Sequence, residues 1–185
     1  MSADDATIRR AKSGDPGAWQ ELYRAHAGRL AVWLGTLPTG DASVSAEDLA
    51  AEAWLTAAQK ISTFHGSSSD FAGWLFGIGR NLARNTRRRS VRRATDPVDA
   101  EHTNVPSTAG AHELVDGLAW ATWVLSHLPD REREVLSCTE VVGLDVAATA
   151  VALGMTPTAV RVARHRALRR LRSLGSRTVG QQVLI

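Results

Sequence analysis

Arginine dominates the residues with chemistry to offer. Residues 80–93 (RNLARNTRRRSVRR) hold seven arginines and no acid, and residues 161–172 (RVARHRALRRLR) hold six and no acid. The two windows carry +13, so the rest of the 185-residue chain sets nine bases against its 19 acids, within a net charge of +3. A guanidinium stays charged, presents a fork of donors that fits phosphate or a base edge, and stacks on flat rings. Acid-free arginine runs on an otherwise acidic chain therefore point to nucleic acid; a merely solvated helix face mixes both signs. The opposite polarity appears at Ser45-Ala46-Glu47-Asp48 and Glu52. Such an acidic stripe suits a protein surface rather than DNA, or equally an ordinary first turn stabilised by the helix dipole.

Other chemistries lack their residues. The single cysteine, Cys138, excludes an internal disulfide and a multi-cysteine zinc site, and its apolar setting (VLSCTEVVGL) reads as a buried structural thiol. The six histidines are scattered, with no HExxH spacing, so neither a metal nor a cofactor is expected. A DNA enzyme working through tyrosine would have to use Tyr23, the only one, inside the core-like AWQELYRAH. No catalytic residue is therefore assigned. Apolar runs fall short of the roughly 18 residues of a membrane span, and the N-terminus lacks a signal-peptide core. The expected location is cytoplasmic, without membrane insertion.

The elements that position the arginines read as helices throughout. With 44% hydrophobic and 22% charged residues the chain is ordinarily globular. Residues 1–93 are helical with breaks at 13–17, 37–43 and 65–70. Residues 94–112 (ATDPVDAEHTNVPSTAGAH) hold two prolines and three acids and read as a flexible tether. Residues 113–175 return to helical periodicity, and 176–185 show no strong pattern. The fold class is all-α, two small helical domains joined by a linker. In the second, Asp130 is the expected N-cap of a helix that Gly143 ends. A helix from Asp145 to Leu153 stops at Gly154, and Thr156 with Pro157 opens the last helix, which runs to about Leu174. Helix, glycine turn, helix is the arrangement whose second member enters the DNA major groove. At about 100° per residue, Val160, Ala163, Ala167, Leu171 and Leu174 share the inward stripe. Arg161, His165, Arg169 and Arg172 lie opposite, with Val162 and Arg166 beside them. In the first domain, Ser45 caps a helix in a variant capping box with Asp48. A later helix from near Asp70 buries Phe71, Leu75, Ile78 and Leu82. It exposes Arg80, Arg84, Arg87 and Arg88, with Trp74, Asn81 and Asn85 on the shoulder. Guanidinium groups flanked by an aromatic and amides suit melted DNA, tracking phosphates while engaging an exposed base; Trp74 taken alone reads as simple core packing.

The blocks AEDLAAEAWLTAAQKISTF (46–64), FAGWLFGIGRNLARNTRRR (71–89) and LPDREREVLSCTEVVGLDVAATAVALGMTPTAVRVARHRALRRLR (128–172), in this order and spacing, resemble the extracytoplasmic-function (ECF) RNA polymerase sigma factors. The resemblance implies sigma region 2 over 1–93 and sigma region 4 over 113–175. It implies that the 46–64 helix binds the clamp helices of the largest polymerase subunit through Glu47, Asp48, Leu49, Glu52 and Trp54. Region 4 would meet the polymerase flap, and the linker would run toward the RNA exit path. His65, Trp74, Arg80, Asn81, Arg84, Asn85, Arg87 and Arg88 would recognise and melt the −10 element, Asn81 lining a pocket for a flipped base. Thr158, Arg161, Val162, His165, Arg166 and Arg169 would read the −35 element. An anti-sigma factor is the expected inhibitor. The chain departs from the family pattern at Val162, Ala163 and Leu168, where serine and two arginines are usual, at Ala147–Ala150, and at Ala51. The competing reading is a stand-alone helix-turn-helix regulator, which leaves the acidic 46–52 patch and the Trp/Asn/Arg shoulder without a role.

Overall fold

The computed structural model describes the backbone of residues 3–41, 43–95 and 121–182, and side chains from residue 6 to 174 within these segments, apart from 94 and 95. All regular structure among them is helical. The elements are α1 (Ala3–Lys12), α2 (Pro16–Gly35), α3 (Ala46–Lys60) with a 3₁₀ turn (Ile61–Thr63), and α4 (Ser68–Thr95). They continue with α5, described over residues 121–126, α6 (Asp130–Leu136) with a π turn (Ser137–Val141), α7 (Val146–Leu153) and α8 (Pro157–Gln182). The expected tether lies outside the described residues beyond Thr95.

Caps account for most of the boundaries. Asp15 accepts from the amides of Gly17 and Ala18, with Pro16 opening α2. Ser45 and Asp48 form the expected reciprocal box: the Asp48 amide donates to Ser45 Oγ (3.0 Å) and the Ser45 amide to Asp48 Oδ2 (3.2 Å). A second such box starts α4, two residues earlier than expected. The Ser67 amide donates to Asp70 Oδ2 (2.9 Å) and the Asp70 amide to Ser67 Oγ (3.3 Å). The Ser67 amide and hydroxyl hold the Asp70 carboxyl below the usual carboxylate range. Asp145 caps α7 through the Ala148 amide (2.7 Å), and Gly154 ends it at φ 61°, a left-handed position that glycine takes without strain. Thr156 accepts from the Ala159 amide (3.2 Å) as α8 begins at Pro157.

Three further boundaries differ from the sequence reading. Asp130 does not cap α6; Pro129 holds the N-cap position, and Asp130 lies in the first turn, paired with Arg133 (3.2 Å). That helix also widens into the π turn before Val142. There Ser137 Oγ donates to the Arg133 carbonyl (2.9 Å) and Thr139 Oγ1 to the Val135 carbonyl (3.1 Å), hydroxyls that compete with backbone amides for their acceptors. Finally, α8 runs on to Gln182, past Leu174, because no proline follows to stop it.

Packing centres on α4. Phe71, fully buried, is ringed by Phe64 (5.9 Å between centroids, edge-on), Trp74 (5.6 Å), Trp54 (6.1 Å) and His26 (5.8 Å). Leu30, Trp33 and Leu34 from α2, Leu49 and Ala53 from α3, and Leu75 and Phe76 from α4 complete this lobe's core. The second lobe wraps α6 and α7 on α8 through Val135, Leu153, Val160 and Ala167. The lobes are not apart. Ala148, Ala150, Ala152 and Cys138 join Phe76 and Trp33 in one continuous buried cluster, with α7 lying along α4.

His26 gives the fold a pH dependence. Burial, aided by the charge of Arg29, pulls its imidazole down to about 4. Between that value and the ordinary one near 6.5 the unfolded chain binds a proton that the folded chain does not. Stability therefore falls as pH drops from about 6.5 toward 4. In urea titrations across this range, His26→Gln is expected to flatten that slope relative to the wild type.

Candidate nucleic-acid interface

The second lobe builds its cationic face from α8. Val160, Ala163 and Ala167 are buried against α6 and α7, and Leu168 and Leu171 are half-buried. This fixes the rotation of the helix. Thr158, Arg161, Val162, His165, Arg166 and Arg169 are consequently exposed, and Arg161, Arg166 and Arg169 have no ion pair among the described residues. Val162 is 43% exposed, an apolar spot within a basic field. The helix axes of α7 and α8 meet at 99°, within the range of helix-turn-helix units.

All the arginines of the run are exposed, but two of them are held by acids. Arg164 Nε meets Glu140 Oε1 at 2.6 Å, which holds that carboxyl below its usual range and ties α8 to the π turn. Arg170 Nε meets Glu132 at 2.9 Å. The acid-free window thus finds its acids on α6 and the turn after it.

On α4 the division is sharper. Asn81, Arg84, Asn85 and Arg88 are exposed, and Arg84 has no ion pair among the described residues. Arg80 is not exposed as the sequence suggests. It grips Glu134 with Nη2 (2.6 Å) and Nε (3.2 Å) and donates Nη1 to the Leu153 carbonyl (3.1 Å). Arg87 lies 3.6 Å from Asp130, and Arg93 pairs with Asp41. Between α4 and α6 a cavity of about 360 Å³ is lined by Arg80, Arg84, Arg87, Arg131, Asp130 and Glu134, above an apolar floor. Trp74 is half-buried on Phe64 (4.9 Å) and Phe71, so the shoulder ring leans on the core. His65 is exposed in the loop before α4, whose backbone is anchored where Lys12 Nζ donates to the Phe64 carbonyl (2.6 Å).

The acidic face of α3 holds Glu47, Asp48 and Glu52, all exposed. Asp48 also serves the capping box. Leu49 presents no surface: it is 2% exposed, on the stripe with Ala53 and Ala57 that faces the core. Trp54 is half-buried, tilted against Tyr23 (5.1 Å). Tyr23 (56% exposed) and Leu55 (61%) form an apolar border to this face that the sequence reading missed. Leu55 falls off the α3 core stripe, and large apolar residues so placed are the available signal. The Cys138 thiol is buried, which pushes its pKa up and leaves it unreactive. Among the described residues no three His, Cys, Asp or Glu side chains converge as metal ligands, and no single helix is long and apolar enough to cross a membrane.

Residues 22–93 match Sigma-70 region 2, and residues 124–171 match Sigma-70, region 4. The ECF RNA polymerase sigma factor ShbA of Streptomyces griseus is 34% identical over 180 residues, spanning 91% of this chain and 93% of the relative. Among solved structures, CnrH in complex with the cytosolic domain of CnrY aligns at TM-score 0.66, with 24% identity over 95% of this chain and 98% of that one. The sigma factor RpoE in complex with the anti-sigma factor NepR from Bartonella quintana aligns at TM-score 0.61, also at 24% identity, over 85% and 95%. The chain belongs to the ECF sigma factors of the sigma-70 superfamily. It is an alternative sigma factor, which directs RNA polymerase to initiate transcription at promoters.

The two kinds of arginine on α8 separate in a salt titration of promoter binding by the holoenzyme. Arg161→Ala is expected to lower the slope of log K against log salt by about one, the signature of a lost phosphate contact. Arg164→Ala, whose guanidinium is already held by Glu140, should leave the slope unchanged and cost little stability, as expected of an exposed pair.

Proposed function

We propose that the first lobe recognises and melts the −10 element through α4 and the loop before it, while α8 reads the −35 element. On this reading the domain limits are 1–93, 94–112 and 113–175, with 176–185 as a tail. The observation that carries it is the pair of cationic helix faces, one per lobe, with no ion pair among the described residues at Arg84 or at Arg161, Arg166 and Arg169. Duplex readout by α8 would rest on Arg161, Arg166 and Arg169 against phosphate and guanine edges, with Thr158 and His165 as further polar contacts. Val162 offers apolar contact for a thymine methyl. On α4, Asn81 and Asn85 present amides that can bond the edge of an unstacked base, and Arg84 and Arg88 hold the strand beside it. Trp74 and His65 flank that path. Unstacking a base costs a few kcal/mol, offset by its capture and by phosphate contacts.

The exposed acids Glu47, Asp48 and Glu52, bordered by Trp54, Tyr23 and Leu55, would dock on the clamp helices of the largest polymerase subunit, and region 4 on the flap. The phosphodiester chemistry belongs to core polymerase, with no catalytic residue here, and the site of action is the cytoplasm. The likeness to a sigma factor held by an anti-sigma factor supports such an inhibitor for this chain; a native-host pull-down that recovers polymerase alone would count against it.

The test is promoter selection from random DNA by core polymerase reconstituted with this chain. We expect enrichment of two spaced elements that core alone ignores. Asn81→Ala should slow initiation about tenfold on duplex promoter and hardly at all on a premelted one. Failure of the purified chain to associate with core would overturn the reading.

A further inference from the structure

We infer that the recess between α4 and α6 is a binding site for a nucleotide carrying two or more phosphoryl groups. Its volume of about 360 Å³ lies within the roughly 300–1,000 Å³ usual for small-molecule sites. The charge around it is lopsided. Five arginines line it, Arg80, Arg84 and Arg87 from α4 and Arg131 and Arg133 from α6, against two acids, Asp130 and Glu134. Both acids are already engaged. Glu134 holds Arg80 through Nη2 (2.6 Å) and Nε (3.2 Å). Asp130 is shared between Arg133 (3.2 Å) and Arg87 (3.6 Å), and it is exposed, so its hold on Arg87 is weak. Arg133 is bound further by the carbonyls of Leu125 (3.1 Å) and Leu128 (2.9 Å). Arg84 and Arg131 are exposed and have no ion pair among the described residues. Three guanidinium groups are therefore available: Arg84 and Arg87, neighbours on one face of α4, and Arg131 on α6. Cations gathered around one cavity repel each other, and a bound polyanion relieves that repulsion. Guanidinium forks meet phosphate oxygens two at a time.

The apolar part of the lining says what else the ligand carries. Leu37, Ala83 and Leu153 are buried and Met155 is half-buried, and all four border the same recess. A bare phosphate gains nothing from such a surface. Duplex DNA keeps its bases turned inward and would meet it only with sugar and phosphate. A flat base set on it removes apolar area from water on both sides, and the Met155 thioether is a favourable neighbour for a ring. Phosphates on the arginines and a base on the floor is the division of a nucleotide. The site does not depend on the promoter reading. One consequence does rest on it: Arg84 belongs to the promoter-facing set proposed above, so a bound nucleotide withholds that cation from the DNA strand.

Calorimetric titration of the free, full-length chain with ADP, GDP, AMP and inorganic pyrophosphate tests the site. ADP or GDP should bind saturably, one per chain. The affinity should exceed by at least about tenfold that of AMP, which lacks a phosphoryl group, and that of pyrophosphate, which lacks the base. Arg131→Gln, in a chain of unchanged circular dichroism and melting temperature, should weaken nucleotide binding at least about tenfold. Arg161→Gln removes an equally exposed arginine outside the cavity and should leave it unchanged. Absence of saturable nucleotide binding overturns the inference, and so does pyrophosphate binding as tightly as ADP. Equal weakening by the two substitutions overturns it too, because it marks diffuse attraction of a polyanion to arginine. A short single-stranded DNA that displaces ADP and depends as strongly on Arg131 would assign the recess to the promoter strand instead. All these readings are made on the chain alone. Failure to initiate with core polymerase, which would overturn the promoter reading of α4, is a separate result.

Discussion

Helix α4 has no idle face, and the rest of the molecule is arranged around that constraint. One side carries Phe71, Leu75 and Phe76 into the core. A second exposes Asn81, Arg84, Asn85 and Arg88, and a third, made of Gly73, Gly77 and Arg80, lies against α7. A helix is only about 10 Å across. Any change in its rotation on the aromatic cluster therefore moves the cationic face and the glycine face together. The ring of Phe64, Trp54, Trp74 and His26 about Phe71 sets that rotation, through large contact areas with defined geometry.

Electrostatics divides the arginines by surroundings rather than by position in a run. The exposed pairs Arg164–Glu140 and Arg10–Asp15 sit in water, where such contacts contribute little, and their main effect is to orient side chains. Arg80–Glu134 is different. Partly withdrawn from water, each member would be costly to leave alone, so the pair makes and breaks as a unit with the lobe contact around it. Arg84, Arg161, Arg166 and Arg169, which have no ion pair among the described residues, keep their full attraction for a polyanion. A chain of modest net charge thus presents two strongly positive faces and one negative one.

Much of this was legible beforehand. The caps at Ser45 and Thr156 and the stop at Gly154 follow from local hydrogen-bonding and φ preferences, and they lie where the sequence puts them. The inward stripe of α8 follows from its period. The π turn was hidden, because it depends on Ser137 and Thr139 turning their hydroxyls back onto the helix. The role of Leu49 was misread, since a family motif marks a helix as functional without saying which of its faces is buried.

Residue order alone determined the helices, their order, the two arginine-rich segments and the family to which they belong, because each depends on neighbours within a few turns. Only the tertiary structure decided which arginines are free, that Glu134 from a residue 54 positions away claims Arg80, and that the two lobes share a core. The physical reason is that glycine carries no hydrophobic signal. A face built from Gly73 and Gly77 is invisible to any reading of apolar periodicity, and its meaning appears only when another helix comes close enough to need the missing side chains.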